Sequence, residues 1–121
     1  MQMNAEANIA YHLLQVAQKK FAATPATLNA DQRRQATRIA LKKMQIESAV
    51  LGSAEAAGVV VADSRIDDAL TSIREQYEAA EDLASALQDA GLDEELLRIA
   101  LARELQVEQV LDKVSATVAP V

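Results

Sequence analysis

The side chains able to do chemistry are few, and their spacing decides how each is read. His12 is the only histidine, and there is no cysteine. A lone imidazole can act as a base or a metal ligand, but no second histidine or thiol exists to complete a common site. Directly after Tyr11 on a helical stretch, His12 reads as an ordinary residue of a helix surface. A group of acids, Glu78, Glu81, Asp82, Asp89, Asp93, Glu94 and Glu95, follows in the second half of the chain. It lacks the alternating oxygen ligands and central glycine of a calcium loop, and most of its members fit helix starts and solvated faces. Arg34, Arg38 and Lys42 recur at i, i+4 and i+8 and make a basic ridge along one helix face. The ridge can meet an acidic partner or the acidic second half of the chain; a solvated face is the plainer reading. There is no nucleophile–base pair, no glycine-rich phosphate loop and no aromatic stacking platform. No cofactor and no metal are expected, and the chain is not expected to be an enzyme by itself.

The elements that would carry these residues are helices. Half of the 121 residues are hydrophobic, dominated by Ala, Leu, Val and Ile, while aromatics reach only 2%. Such a composition favours helix and lacks the aromatic and turn residues of a sheet. With three Gly and two Pro, an all-α domain spanning residues 1–121 is expected. The net charge of −6 conceals a division, +5 over residues 1–43 and −11 over residues 44–121. An acidic total argues against nucleic-acid binding, which depends on neutralising phosphates. No segment approaches the ~20 apolar residues of a membrane span, and residues 1–6 lack the basic start of a signal peptide. A cytoplasmic location is expected.

A compact bundle of about five helices follows from the periodicity. Helix one is expected from Ala5 to Phe21, with Ile9, Leu13, Val16 and Lys20 on its inner face, Ala10, Leu14, Ala17 and Phe21 alongside, and the Lys20 charge left in water; Pro25 ends it. Asn29 should cap helix two, with Ala36, Ile39, Lys43, Ile46 and Val50 inward and Gly52 at the end. Val59-Val60-Val61, within a connector near residues 58–62, reads as extended and buried. Helix three restarts at Asp63 or Ser64, where Ser64 and Asp67 resemble a capping box. Its stripe of Ile66, Leu70, Ile73 and Tyr77 is the cleanest in the chain. Helix four covers Glu81 to Ala90, with Leu83 and Leu87 inward and Gly91 as a left-handed stop. Asp93 caps helix five, which carries one row of Leu97, Leu101 and Leu105 and another of Ala100, Val107, Leu111, Val114 and Val118, up to Pro120.

The order of these elements resembles the SurA-type N-terminal domain that precedes the catalytic domain of parvulin-type prolyl isomerases. The stretches that carry the resemblance are Gly58-Val59-Val60-Val61 through Leu70, and Ala86-Leu87 through Gly91-Leu92-Asp93 to Arg98. Within that group the chain is most similar to the nitrogen-fixation NifM family. The segments are Tyr11-His12-Leu13-Leu14, Pro25-Ala26-Thr27-Leu28 with Asp31-Gln32, Ile46-Glu47 to Leu51, and Leu101 to Glu108 with Val110-Leu111. The resemblance implies a parvulin catalytic domain after Val121, absent from this sequence, so the family's catalytic residues have no counterparts here. It also implies a protein client, the nitrogenase iron protein.

The expected function is therefore a non-catalytic, client-binding or chaperone-like helper domain. Its candidate binding residues are Ile66, Leu70, Ile73 and Tyr77 in a groove between helices three and five, guided by Arg34, Arg38 and Lys42. A dimerisation or scaffold module, formed through apolar surface on helix five, is the alternative. Arg65-Ile66-Asp67-Asp68 through Arg74 also resembles the opening helix of small helical chorismate mutases. That chemistry needs several cations converging in one pocket, and these two arginines fall on different faces.

Overall fold

The structure is a computed structural model of the chain, describing residues 4–117. Five α-helices pack together, and no strand occurs among the described residues. They are α1 (Ala5–Phe21), α2 (Ala30–Leu51), α3 (Asp63–Glu75), α4 (Ala80–Asp89) and α5 (Glu94–Thr117), with 3₁₀ turns at Pro25–Thr27 and Ala54–Ala56.

Local chemistry sets most of the boundaries. Asn4 caps α1 by accepting from the Ala7 N–H at 2.7 Å. The helix ends where Ala22 turns left-handed, at φ 50°, before Pro25. At the start of α2, Asn29 and Gln32 form a reciprocal capping box: each side-chain oxygen accepts the other's backbone N–H, at 2.9 and 3.0 Å. α4 stops at a Schellman turn. Gly91 takes φ +75°, Leu92 N–H donates to the Leu87 carbonyl, and Gly91 N–H to that of Gln88. Asp93 then caps α5 through the Leu96 N–H at 2.8 Å.

The core lies among α1, α3, α4 and α5. Tyr11 and Leu14 meet Ile66, Leu70 and Ile73 from α3, Leu83 and Leu87 from α4, and Leu97 and Leu101 from α5. Each leucine withdrawn from water contributes about 2 kcal/mol. α2 stands outside this cluster and packs mainly along α1 and α5. Its inward face is small: Ala36 and Ala40 are fully buried, as is Ala17 on α1. Small side chains let helix backbones approach closely, and the fit then depends on shape rather than apolar volume.

Several sequence expectations are corrected. The inner face of α2 runs through Ala36, Ala40 and Glu47, and Ile46 is 47% exposed. Ala36 lies inward as expected, but Ile46 does not, because the rest of the buried face is a second alanine and a carboxylate. On α1 Leu14, Val16 and Ala17 are buried as expected, but Asn8, Tyr11, His12 and Gln15 are buried too, while Ile9 and Leu13 are only partly so. α1 is enclosed on more than one side and buries a polar stripe as well as an apolar one. The connector is present, but Val60 is 81% exposed, with only its neighbours Val59 and Val61 partly buried. The Ser64–Asp67 box does not form. α3 begins at Asp63, the earlier of the two expected starts, with Ala62 at its N-cap, and Asp67 instead accepts from Arg98 of α5 at 2.6 Å. On α5, Val110 is buried while Leu111 is exposed. Val118 and Pro120 lie outside the described residues.

Candidate functional site: a polar network joining three helices

Among the described residues four polar side chains are buried: Asn8, His12, Gln15 and Glu47. Asn8, His12 and Gln15 are one helical turn apart in succession, so α1 presents them as a single stripe. The stripe meets Glu47 of α2, and with Tyr11 it extends to Glu104 of α5. Glu47 is the hub. Its Oε2 lies 3.2 Å from His12 Nε2, and its Oε1 accepts from Asn8 Nδ2 at 3.3 Å and Arg103 Nε at 2.8 Å. On the other branch Tyr11 Oη donates to Glu104 Oε2 at 2.6 Å and accepts from Gln15 Nε2 at 2.9 Å. The Tyr11 and His12 rings meet edge to face at 5.2 Å, coupling the branches.

The electrostatics follow from this packing. Burial alone would raise the Glu47 carboxyl, but hydrogen bonds and charge from His12 and Arg103 outweigh it and hold the group below its ordinary value. Tyr11 moves the opposite way. Burial, then the Glu104 carboxylate beside it, pushes its phenol far above the ordinary tyrosine range, so it stays a donor. Among the described residues two buried side-chain atoms lack a hydrogen-bond partner, Asn8 Oδ1 and His12 Nδ1. The latter faces Glu104 Oε1 at 3.8 Å, too far for a direct hydrogen bond.

A cleft of about 250 Å³ opens over this network. His12, Glu47 and Glu104 line it together with Lys19, Lys43, Ile46, Val107 and Glu108. Among the described residues, no group of three or more His, Asp or Glu side chains is arranged to hold a metal ion. The network can bind, orient and hold charge; none of its members has the partner that would activate it as a nucleophile.

The residues singled out from the sequence fall elsewhere. Ile66, Leu70 and Ile73 are buried in the core, and Tyr77, just beyond α3, packs partly buried against it. Arg34, Arg38 and Lys42 are exposed on α2. Arg34 pairs with Asp31 of its own first turn, and none of the three pairs with the acidic half of the chain among the described residues. Arg74 pairs with Glu94 beside a second cavity that Arg65 does not line. The reading of His12 as a helix-surface residue is overturned: it is 2% exposed. A legible signal existed, a polar stripe at helical spacing on α1 and a carboxylate on α2 placed among small residues. What a sequence does not show is that α2 and α5 both close over that stripe.

The fold is thus a helical bundle pinned by one buried ionic network. No family model matches the chain, and no solved structure matches it. It is 44% identical over 106 residues to the NifM protein of Azotobacter chroococcum mcd 1, covering 88% of this chain and 36% of that protein. It is 44% identical over 112 residues to NifM of Azotobacter vinelandii, covering 93% of this chain and 38% of that protein. Both are named, provisionally, as peptidyl-prolyl cis-trans isomerases. The chain is homologous to these proteins along most of its own sequence, and it spans little more than a third of their length.

Proposed function

We propose that this chain is a non-catalytic helper domain of a NifM-type prolyl isomerase, one that binds or orients the protein client. One observation carries the reading: 44% identity along nearly the whole of this chain, matched to little more than a third of each NifM protein. A parvulin-type catalytic domain would occupy the remainder of such a protein. By the same relationship the client is the nitrogenase iron protein, met in the cytoplasm during its maturation. The basic ridge of Arg34, Arg38 and Lys42 supports the reading as a guide for an acidic surface, since cations that point to solvent act on encounter rates at a distance.

The test is an NMR titration of the labelled chain with purified nitrogenase iron protein at low and moderate salt. Localised shifts that weaken with salt are expected. An unperturbed spectrum at saturating client would remove the client-binding reading.

A scaffold or dimerisation role is the second reading, favoured by the exposure of Leu41, Ile46 and Leu111 on α2 and α5. Sedimentation across a concentration range decides it, a strict monomer counting against it.

A further inference from the structure

The basic ridge of α2 has a counterpart on α5. Glu104, Glu108 and Asp112 recur at i, i+4 and i+8, the same spacing as Arg34, Arg38 and Lys42. The two helices lie side by side, since Ile46 of α2 and Val107 of α5 line one cleft. Within one chain the two rows do not meet. Arg38, Lys42, Glu108 and Asp112 are exposed, and none of them forms an ion pair or a side-chain hydrogen bond among the described residues. Arg34 turns back to Asp31, and Glu104 holds the Tyr11 hydroxyl. Lys19 and Lys43 offset the two glutamates inside the cleft; the open part of the acidic row lies outside it, where Glu108 reaches water and Asp112 does not line the cleft at all.

Apolar side chains accompany both rows. Leu41 on α2 is 45% exposed, and Ile46 on α2 and Leu111 on α5 are each 47% exposed. A single exposed leucine is ordinary. These three stand on two adjacent helices, each beside a row of one charge: Leu41 adjoins Lys42, Ile46 is one turn beyond it, and Leu111 adjoins Asp112.

We propose that this face pairs with the same face of a second copy of the chain. A two-fold axis set along the seam between α2 and α5 exchanges the two helices, so α2 of each copy lies on α5 of the other. Arg38 and Lys42 then face the partner's Glu108 and Asp112, and the symmetry makes the same contacts a second time. Leu41, Ile46 and Leu111 close over the middle, with the i, i+4 rows of one helix set against those of the other. Helices of 22 and 24 residues are about 33 and 36 Å long and about 10 Å across, so their outer faces offer roughly 600 Å² per copy, the small end of a specific interface. The net charge of −6 on each copy opposes association at a distance; the pair is therefore weak, and the matched rows set its register. This interface rests on the dimerisation reading above and names the two surfaces that meet. Because it covers the ridge, an acidic client and a second copy exclude one another.

Sedimentation equilibrium from micromolar to millimolar chain tests it with the parent and two variants. One reverses the ridge, Arg38→Glu with Lys42→Glu; the other reverses the acidic row, Glu108→Lys with Asp112→Lys. All four positions are exposed, and circular dichroism checks each fold; Lys42→Glu and Asp112→Lys, taken singly, replace a pair that misfolds. The parent is expected to dimerise reversibly and to stop at two copies. Each variant alone should associate about a hundredfold more weakly. An equimolar mixture of the two should recover the parent's dimer, because reversed ridge then meets reversed row and the unreversed pair still matches. Dimers indifferent to both reversals, variants not rescued by mixing, or assembly beyond two copies would overturn this interface while leaving self-association in place. A parent that stays monomeric throughout removes the dimerisation reading and the interface together.

Discussion

His12 Nε2 and Glu47 Oε2 sit 3.2 Å apart across the α1–α2 interface, and the two residues are 2% and 4% exposed. The pair joins two helices whose apolar seam is mostly alanine, and Arg103 extends it to α5. A buried ionic cluster adds little net stability over an apolar substitute, yet removing one member strands the others. Its first consequence is orientation: it admits one rotation of α2 against α1.

Glu47→Ala should therefore be among the most damaging single changes in the chain. It leaves His12, Asn8 and Arg103 without their common acceptor, and a loss of about 3 kcal/mol is expected. Urea unfolding followed by circular dichroism measures it. A loss well under ~1 kcal/mol would mean that the cluster is not holding the helices.

The same residue sets an acid limit. The folded chain holds Glu47 below its ordinary value of 4.5. The unfolded chain therefore binds more protons in the interval beneath 4.5, and stability rises with pH there. The contribution is fully present above 4.5 and disappears as pH falls through the lower, folded value. Urea midpoints of the parent and of Glu47→Gln, taken from neutral pH downward, should converge on acidification. Parallel curves would locate the acid sensitivity elsewhere.

Tyr11 should behave as a buried donor at every pH the fold survives. Difference spectroscopy in alkali should show it ionising only as the chain unfolds, with Tyr77, also raised by burial, ionising apart from it. Tyr11→Phe removes the hydrogen bonds to Glu104 and Gln15 and should cost about 1–3 kcal/mol. A phenol that titrates reversibly in the folded state would contradict its placement.

Ala22 is the one non-glycine residue with positive φ among those described, at 50°. A left-handed alanine is strained by roughly 1–2 kcal/mol, part of which glycine gives back through its freer unfolded chain. Ala22→Gly should raise stability by about 0.5–1 kcal/mol in thermal melts. Gly91→Ala, at φ +75°, should lower it by a similar amount although its surroundings are open.

Reversal of the ridge, Arg34, Arg38 and Lys42 all to Glu, should leave folding within about 0.5 kcal/mol per site, because these side chains are exposed. Binding of an acidic client should weaken and lose its salt dependence. An affinity unchanged by both the triple variant and salt would exclude the ridge from recognition.

Helix identity and most helix ends were legible from local chemistry alone. The Asn29 cap, the glycine stop at Gly91 and the Asp93 cap depend on residues within a few positions of one another, and short-range hydrogen bonding is enough to specify them. The stripe on α3 was equally plain, because Ile66, Leu70 and Ile73 are large and apolar at helical spacing. Where the inward face was polar or small, periodicity pointed elsewhere: Ile46 was assigned to a face that Glu47 and two alanines occupy.

What the sequence by itself determined is an all-α chain, its helix boundaries, its charge division and its kinship with NifM, all written in neighbouring residues or in their order. Only the tertiary structure decided that His12 is buried, that Glu47 is its partner, and that Glu104 and Glu108 stand in the cleft above them. Those relations join residues 35 and more positions apart, and a buried polar group is tolerated only where distant donors and acceptors converge on it. Hydropathy cannot signal that convergence, because the same residues would be solvated on any helix left alone.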